Sequence, residues 1–258
     1  MADRTSDRFP GFFRIFKPLA DILIPLVAWT YFTLGFVIFF APLYMTAALF
    51  SRDRQGRFQR LNHHFYRWFF RLTGAITPGL SYRIPDAVRA IRGSVIVSNH
   101  ISYLDPILLI SLYPRQKTIV KRTFFRVPIF GRVIRQSGYL PSATDGDLDL
   151  LMIEQMEKMP DFLADGGNLF IFPEGTRSRN GRIGRFNPGA FKIAGRCNVP
   201  IQVLRIRNTD RLFPPGGFRF NTCVANTITV ERVGSIDSGT TDVSRSVLVN
   251  RVREMLEA

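Results

Sequence analysis

Between Ile22 and Phe50 the chain carries no charged residue. A run of this length exceeds the roughly 20 apolar residues that take a helix across a bilayer, so membrane contact is the first expectation. As one helix the run would reach about 40 Å at 1.5 Å per residue, against about 30 Å of hydrocarbon. Pro25, Gly35 and Pro42 offer places to bend, and a tilted span and a bent hairpin both satisfy these lengths. A cleaved signal peptide does not, because it needs a shorter apolar core and a small-residue cleavage site. Arg4, Arg8, Arg14 and Lys17 precede the run, and Arg52, Arg54, Arg57, Arg60, Arg67 and Arg71 follow it. Lys and Arg mark the cytoplasmic side, so basic flanks at both ends favour a hairpin dipping into one leaflet with both ends cytoplasmic.

The charge balance sharpens this. Lys and Arg number 35 against 20 Asp and Glu, a formal net charge of +15, which calls for an anionic partner such as lipid head groups, nucleic acid or phosphorylated substrates. The 24 Phe in the same chain select lipid over nucleic acid, because a membrane-surface protein needs both cations and long apolar runs. Cys197 and Cys223 have no metal-ligand spacing, so neither a zinc site nor a disulfide framework is expected, and a reducing compartment fits. Arg57 to Leu72 mixes Phe58, Leu61, Phe65, Trp68, Phe69 and Leu72 with arginines at helical spacing, as an interfacial helix does, with an ordinary core helix as the alternative. His63 and His64 face different sides of any such helix and make poor metal ligands.

After Thr73 short β-rich runs alternate with helical ones, the signature of an α/β domain whose central sheet is mostly parallel and flanked by helices. The expected organisation is a membrane-anchoring helical segment over 1–72 and one further domain over 73–258. Strands are expected at Ser94 to Val97, Thr118 to Lys121, Leu169 to Phe172, Pro200 to Ile206 and Thr227 to Val233. Helices are expected at Leu148 to Leu163, closed by Gly166 and Gly167, and at Val243 to Leu256, begun near Thr241 or Asp242. Ligands in such sheets gather beyond the carboxyl ends of strands, so those positions carry the chemistry.

Past the first of these strands the chain reads SNHISYLDP. On a regular helix, five residues turn His100 and Asp105 about 140° apart, so the two meet only if His100 lies in the preceding loop. Pro106 favours the first helical position, which makes Asp105 the cap; alternatively Ser102 and Asp105 form a capping box. A histidine held by a carboxylate suits a general base, since the carboxylate selects the tautomer and stabilises the imidazolium. No GxSxG element or motif-borne cysteine supplies a nucleophile, which favours direct attack by an acceptor hydroxyl. Past the third expected strand comes FPEGTRSRNGRIGRF. There Pro173 ends the strand and Gly175 allows a tight turn exposing Glu174 and Arg177. Arginine's planar fork suits a phosphate, and Glu174 either orients backbone or acceptor hydroxyls or pairs with Arg177. Arg179, Arg182 and Arg185 read as a solvated or head-group-facing loop. Lys121 and Arg122 lead into VPIFGRVIRQSGYLPSA, reasonable lining for an acyl chain or else ordinary packing.

Together NHISYLD, FPEGTRS and the VPI at Val199 to Ile201 resemble the bacterial glycerolipid acyltransferases of the 1-acylglycerol-3-phosphate (lysophosphatidate) type, over about Ser98 to Gln202. The resemblance implies an O-acyltransferase that moves a fatty acyl chain from acyl-CoA or acyl-carrier protein to the free hydroxyl of 1-acylglycerol-3-phosphate, giving phosphatidate. It implies His100 as base, Asp105 as its orienting partner, and Glu174, Gly175, Thr176 and Arg177 in the acceptor site. Arg177 is then the phosphate ligand, with Lys121 assisting. It further implies no metal or cofactor and a helical pair in the cytoplasmic leaflet of the inner membrane, with the catalytic domain in the cytoplasm. Its partners are then membrane lipids and the acyl donor, the carrier protein included, and not nucleic acid. Two departures stand out. The family's second motif ends in an arginine where GYLPSATD has Thr144, and its fourth motif has a second proline where VPIQV has Val203. The first raises the alternative that the acceptor is another lysolipid, such as a lyso-aminolipid or lysophospholipid.

Overall fold

The computed structural model describes residues 11–142, 148–177, 184, 186–187, 189–214, 219–237 and 245–258. Arg4, Arg8, Thr144, Arg179, Arg182, Arg185 and the expected helix start at Thr241 to Val243 lie outside them.

The apolar run folds as one continuous helical rod. Helix α1 (Gly11–Thr30) passes through a π-helical segment (Tyr31–Phe40) into α2 (Ala41–Phe50). Neither Pro25 nor Pro42 turns the chain back. The reversal comes only at Ser51–Asp53, where Asp53 caps α3 (Arg54–Ile76) by accepting the Gly56 N–H at 2.8 Å. The helical pair is therefore α1–α2 against α3, and the apolar run itself contains no hairpin. The 36-residue stretch Ile15–Phe50 is long and apolar enough to cross a membrane, and Leu26, Ile38 and Phe39 on it face outward. This structure gives the protein a membrane-associating segment.

The interfacial reading of Arg57 to Leu72 is corrected. In α3, Phe58, Phe65, Phe69 and Phe70 are buried in the core, Tyr31 stacks on Phe65 at 5.2 Å, and its hydroxyl donates to the Phe65 carbonyl. Polar groups join the same packing: the Tyr44 hydroxyl donates to Asn62, whose amide reaches the Ser137 hydroxyl at 2.8 Å. Only Trp68, with Arg71 over its ring, keeps an interfacial character.

Among the described residues seven strands follow: β1 (Leu80–Arg83), β2 (Val95–Ser98), β3 (Gln116–Val120), β4 (Leu140–Pro141), β5 (Asn168–Ile171), β6 (Ile201–Arg207) and β7 (Asn226–Ile236). They order β1-β7-β6-β2-β5-β3-β4, with every neighbouring pair parallel except β6 and β7. The mostly parallel sheet is as expected; β1 and β4 are additional strands. Between the strands run α4 (Asp86–Arg89), α5 (Leu104–Leu112), a 3₁₀ turn (Arg122–Arg126), α6 (Phe130–Gln136), α7 (Asp149–Glu157), α8 (Met159–Ala164), α9 (Gly189–Cys197) and α10 (Thr209–Leu212), and α11 (Arg245–Glu257) ends the chain. The single helix expected over Leu148 to Leu163 is broken in two at Lys158, since Pro160 has no N–H for a helix interior and instead sits in the first turn of α8.

Alternation along the strands sorts the core into two layers. Ile96, Phe170 and Leu204 pack with α3, α5 and the N-terminal rod, whereas Val95, Val97, Leu169 and Val203 pack with α8, α9 and α11. In β7 the register skips from Arg232 to Gly234. This bulge reverses the parity of the strand, placing Val230 in the first layer and Ile236 in the second. Gly234 also leaves room for Met255 of α11, whose sulfur would lie 2.3 Å from an added Cβ.

Candidate active site

Because β2, β3, β4, β5 and β6 are parallel, their carboxyl ends share one edge of the sheet. The connection from β2 passes through α5 to β3 on one side, and that from β5 passes through α9 to β6 on the other. The chain thus reverses its winding between β2 and β5, the switch point at which such sheets hold ligands. NHISYLD follows β2 and FPEGTR follows β5, so both motifs meet there.

His100 lies in the loop after β2, and its Nδ1 donates to Asp105 Oδ2 at 2.9 Å. A carboxylate only accepts, so Nδ1 carries the hydrogen and Nε2 presents a lone pair. Asp105 Oδ2 also accepts the N–H groups of Ile101 and Ser102, both at 2.7 Å. Ser102 Oγ accepts from the Leu104 N–H at 3.3 Å and the Asp105 N–H goes to the Ser102 carbonyl, so only the half of the expected capping box in which Asp105 accepts the Ser102 N–H forms, with Asp105 inside the first turn and Pro106 one residue further on. The expectation of Pro106 at the first helical position is corrected accordingly. Asp105 Oδ1 accepts the Thr209 hydroxyl at 2.5 Å. Asp105 and Thr209 are wholly buried. Every partner of this carboxylate is a donor, the set an ionised group accepts.

Three further contacts hold the histidine. Its ring stacks on Phe172, just past β5, with centroids 4.4 Å apart. Its backbone N–H donates to Glu174 Oε1 at 3.3 Å, while Glu174 Oε2 accepts the Gly184 N–H at 3.0 Å. The preceding Asn99 clips the loop to β6, donating to the Ile206 carbonyl at 2.8 Å and accepting its N–H at 2.7 Å. Glu174 therefore orients backbone, the first of its two expected roles; among the described residues it makes no ion pair with Arg177. The turn that aims it is closed by the Gly175 N–H on the Phe172 carbonyl at 3.0 Å, with Gly175 at φ +65°, a conformation glycine adopts without strain.

Arg177 lies with its guanidinium carbon 3.4 Å from the centroid of the Tyr103 ring, a cation–π contact that holds it beside the histidine loop. Thr176 is exposed in the same turn. Lys121 is exposed at the end of β3. As β3 is two strands from β2, and strands are spaced by about 4.8 Å, it stands about 10 Å along the edge from the histidine loop. The structure thus gathers His100, Asp105, Glu174, Gly175 and Arg177 and leaves Lys121 at the rim. Sequence reasoning missed Asn99, Phe172 and Thr209. Asn99 and Phe172 are the opening residues of the two motifs and were given no role of their own, whereas nothing in the local pattern near Thr209 marks it. Among the described residues no group of three or more His, Cys, Asp or Glu is placed to hold a metal. His63 instead binds the Ile110 carbonyl through Nδ1, and both cysteines are free.

Residues 80–207 match the family model described as Acyltransferase. Among curated relatives, a chloroplastic 1-acyl-sn-glycerol-3-phosphate acyltransferase of Brassica napus is 34% identical over 122 residues, covering 47% of this chain and 35% of that protein. The 1-acyl-sn-glycerol-3-phosphate acyltransferase of Pseudomonas aeruginosa is 30% identical over 125 residues, covering 48% of each. The chain thus spans about a third to a half of the length of these relatives. Among solved structures, the 1-acyl-sn-glycerophosphate (LPA) acyltransferase PlsC of Thermotoga maritima aligns with a TM-score of 0.64 at 19% identity, covering 95% of this chain and 96% of that one. That likeness establishes the shared fold.

Proposed function

The chain belongs to the acyltransferase family through residues 80–207, and on that premise we propose that it transfers a fatty acyl group from a thioester, acyl-CoA or acyl-carrier protein, to the free hydroxyl of 1-acylglycerol-3-phosphate, yielding phosphatidate. The observation that carries the reading is His100 locked onto a buried Asp105 at 2.9 Å at the switch point of the sheet, with Nε2 making no hydrogen bond among the described residues. The acceptor hydroxyl loses its proton to Nε2 as its oxygen attacks the thioester carbonyl. The tetrahedral intermediate then collapses, the carbon–sulfur bond breaks, and the imidazolium returns the proton to the leaving thiolate. Asp105 supports the charge that His100 carries between these steps. Arg177, held against the Tyr103 ring, takes the acceptor phosphate, with Lys121 reaching in from the rim and Glu174, Gly175 and Thr176 shaping the acceptor side. These steps need no metal or cofactor.

In this reading residues 1–72 anchor the acyltransferase domain of 73–258 to the cytoplasmic face of the inner membrane, with α3 as the wall the two share. The +15 charge then serves anionic lipid rather than nucleic acid.

The test is thiol release from palmitoyl-CoA by wild type and His100→Ala, with lysophosphatidate, a lyso-aminolipid or no acceptor. Release that depends on lysophosphatidate and falls about a thousandfold in His100→Ala is the expected result, within the usual range for loss of a general base. Release that survives the substitution removes His100 from the mechanism, and activity with the aminolipid alone reassigns the acceptor.

A further inference from the structure

Between β3 and α6 the chain makes a tip whose construction the proposed chemistry does not use. The Phe130 N–H bonds the Pro128 carbonyl at 2.6 Å, and Ile129 between them has φ 64° and ψ −60°. This is a γ-turn of the strained kind, and its centre is a β-branched residue that ordinarily avoids such a backbone. The turn is held from behind. Phe125 is buried, and Gly131 lets α6 approach the 3₁₀ turn so closely that an added Cβ would lie 2.3 Å from the Phe125 carbonyl oxygen. The result is to push apolar side chains into solvent: Ile129 is 62% exposed, and Phe124 and Val127 are 44% and 43% exposed. A segment held this firmly does not expose three apolar residues for lack of a place to put them.

The surroundings indicate what covers it. Arg126 within the tip and Arg132 just beyond it are exposed, so the apolar patch carries cationic neighbours, which suits the boundary between anionic head groups and acyl chains. It emerges on the membrane-facing side of the sheet: Val133 and Ile134 of α6, with Phe125, lie in the same core layer as Ile24, Phe40 and Tyr44 of the N-terminal rod. It also directly follows the carboxyl end of β3, the edge that holds His100. We propose that the tip Phe124–Ile129 is a second membrane-docking element, which inserts Ile129 and Val127 into an anionic lipid surface and seats the mouth of the site on the plane from which a lysolipid arrives. The proposal rests on the membrane reading above but not on the identity of the acceptor.

The experiment uses the full chain in lipid nanodiscs, with Cys197 and Cys223 replaced by Ser and one environment-sensitive fluorophore on Ile129→Cys. Val127→Cys is the second site, in case the turn fails to form around the first. Val247→Cys, an exposed position on α11 over the opposite face, is the control. We expect blue-shifted emission and several-fold stronger quenching by doxyl-labelled lipid at 129 and 127 than at 247, weakened by Arg126→Glu with Arg132→Glu in phosphatidylglycerol-containing discs. Equal quenching at all three positions overturns the proposal. Quenching that appears only when palmitoyl-CoA or lysophosphatidate is added also overturns it, because the patch then belongs to the acyl-chain site. The readout needs no turnover, so an error in the proposed reaction leaves it unchanged, and a tip that stays dry leaves the reaction intact.

Discussion

On one face of the sheet Val95, Val97, Leu169 and Val203 pack against α8, α9 and α11, and α11 turns charged side chains such as Arg251 and Glu254 to solvent. On the other face Ile96, Phe170 and Leu204 pack beneath α3 and α5, and the rod that completes the layer turns Leu26, Ile38 and Phe39 outward. The inner halves of the two layers obey the same rule of alternating strand residues. They part only at the outermost helix: α11 is amphipathic, whereas the rod carries apolar residues on its outward side as well. Burial within the chain therefore says little about which face meets the membrane; the unburied remainder says it.

The largest effect expected from disturbing this arrangement is on the shared inner layer. Phe170→Ala removes a wholly buried ring from the membrane-side layer and is expected to cost about 3–5 kcal/mol, measured by urea unfolding in detergent. If the loss is much smaller, that layer is held by the surrounding lipid and not by its own packing.

Next comes a pH effect confined to the same side. Burial pushes His63 down to about 4 from its ordinary 6.5. The unfolded chain thus binds the proton more readily, and stability that is complete above pH 6.5 is lost as the pH falls from 6.5 to 4. The loss is expected to be roughly 2–3 kcal/mol. His63→Gln should flatten that slope in denaturation curves taken at pH 7 and pH 4.5, and a slope unchanged by the substitution would place the titration elsewhere.

On the water-facing side Gly234→Ala drives a methyl into Met255. Because that neighbour is a flexible side chain, the cost is expected near the low end of overpacking, about 1 kcal/mol, and Met255→Ala should recover most of it. The smallest stability effect is expected at the outward residues of the rod. Ile38→Ser, at a position 59% exposed, should shift unfolding by less than about 0.5 kcal/mol while lowering partition into vesicles. A substantial stability loss there would mean that the outward face packs against protein.

Much of the site was legible because it is local. His100 and Asp105 are five residues apart and Glu174 to Arg177 are consecutive, so turn and cap chemistry constrained their geometry before any tertiary contact was known. Asp105 as the cap and a capping box of Ser102 with Asp105 were two readings of the same residues, and the hydrogen bonds keep only one half of the second, the Ser102 N–H on the Asp105 carboxylate. Thr209 was not legible: it meets Asp105 only because β6 runs beside β2, across more than a hundred residues. Among the strands, β4 is two residues long and β1 lies at an edge, too short or too weakly patterned to register. The aromatic stripe of α3 misled because aromatic residues interleaved with arginines read alike whether the apolar side meets lipid or protein.

Local chemistry written into the sequence determined that a long uncharged run seeks lipid, that strands alternate with helices, and that a histidine and a carboxylate follow a strand. Only the tertiary structure decided that the run stays one rod until Ser51, that α3 belongs to the core, and that Asp105 is closed off by Thr209. The physical reason is range. Propensity, capping and periodicity act over a few residues, whereas burial depends on which distant segment arrives at the other side, and in this chain that partner is sometimes protein and sometimes a bilayer.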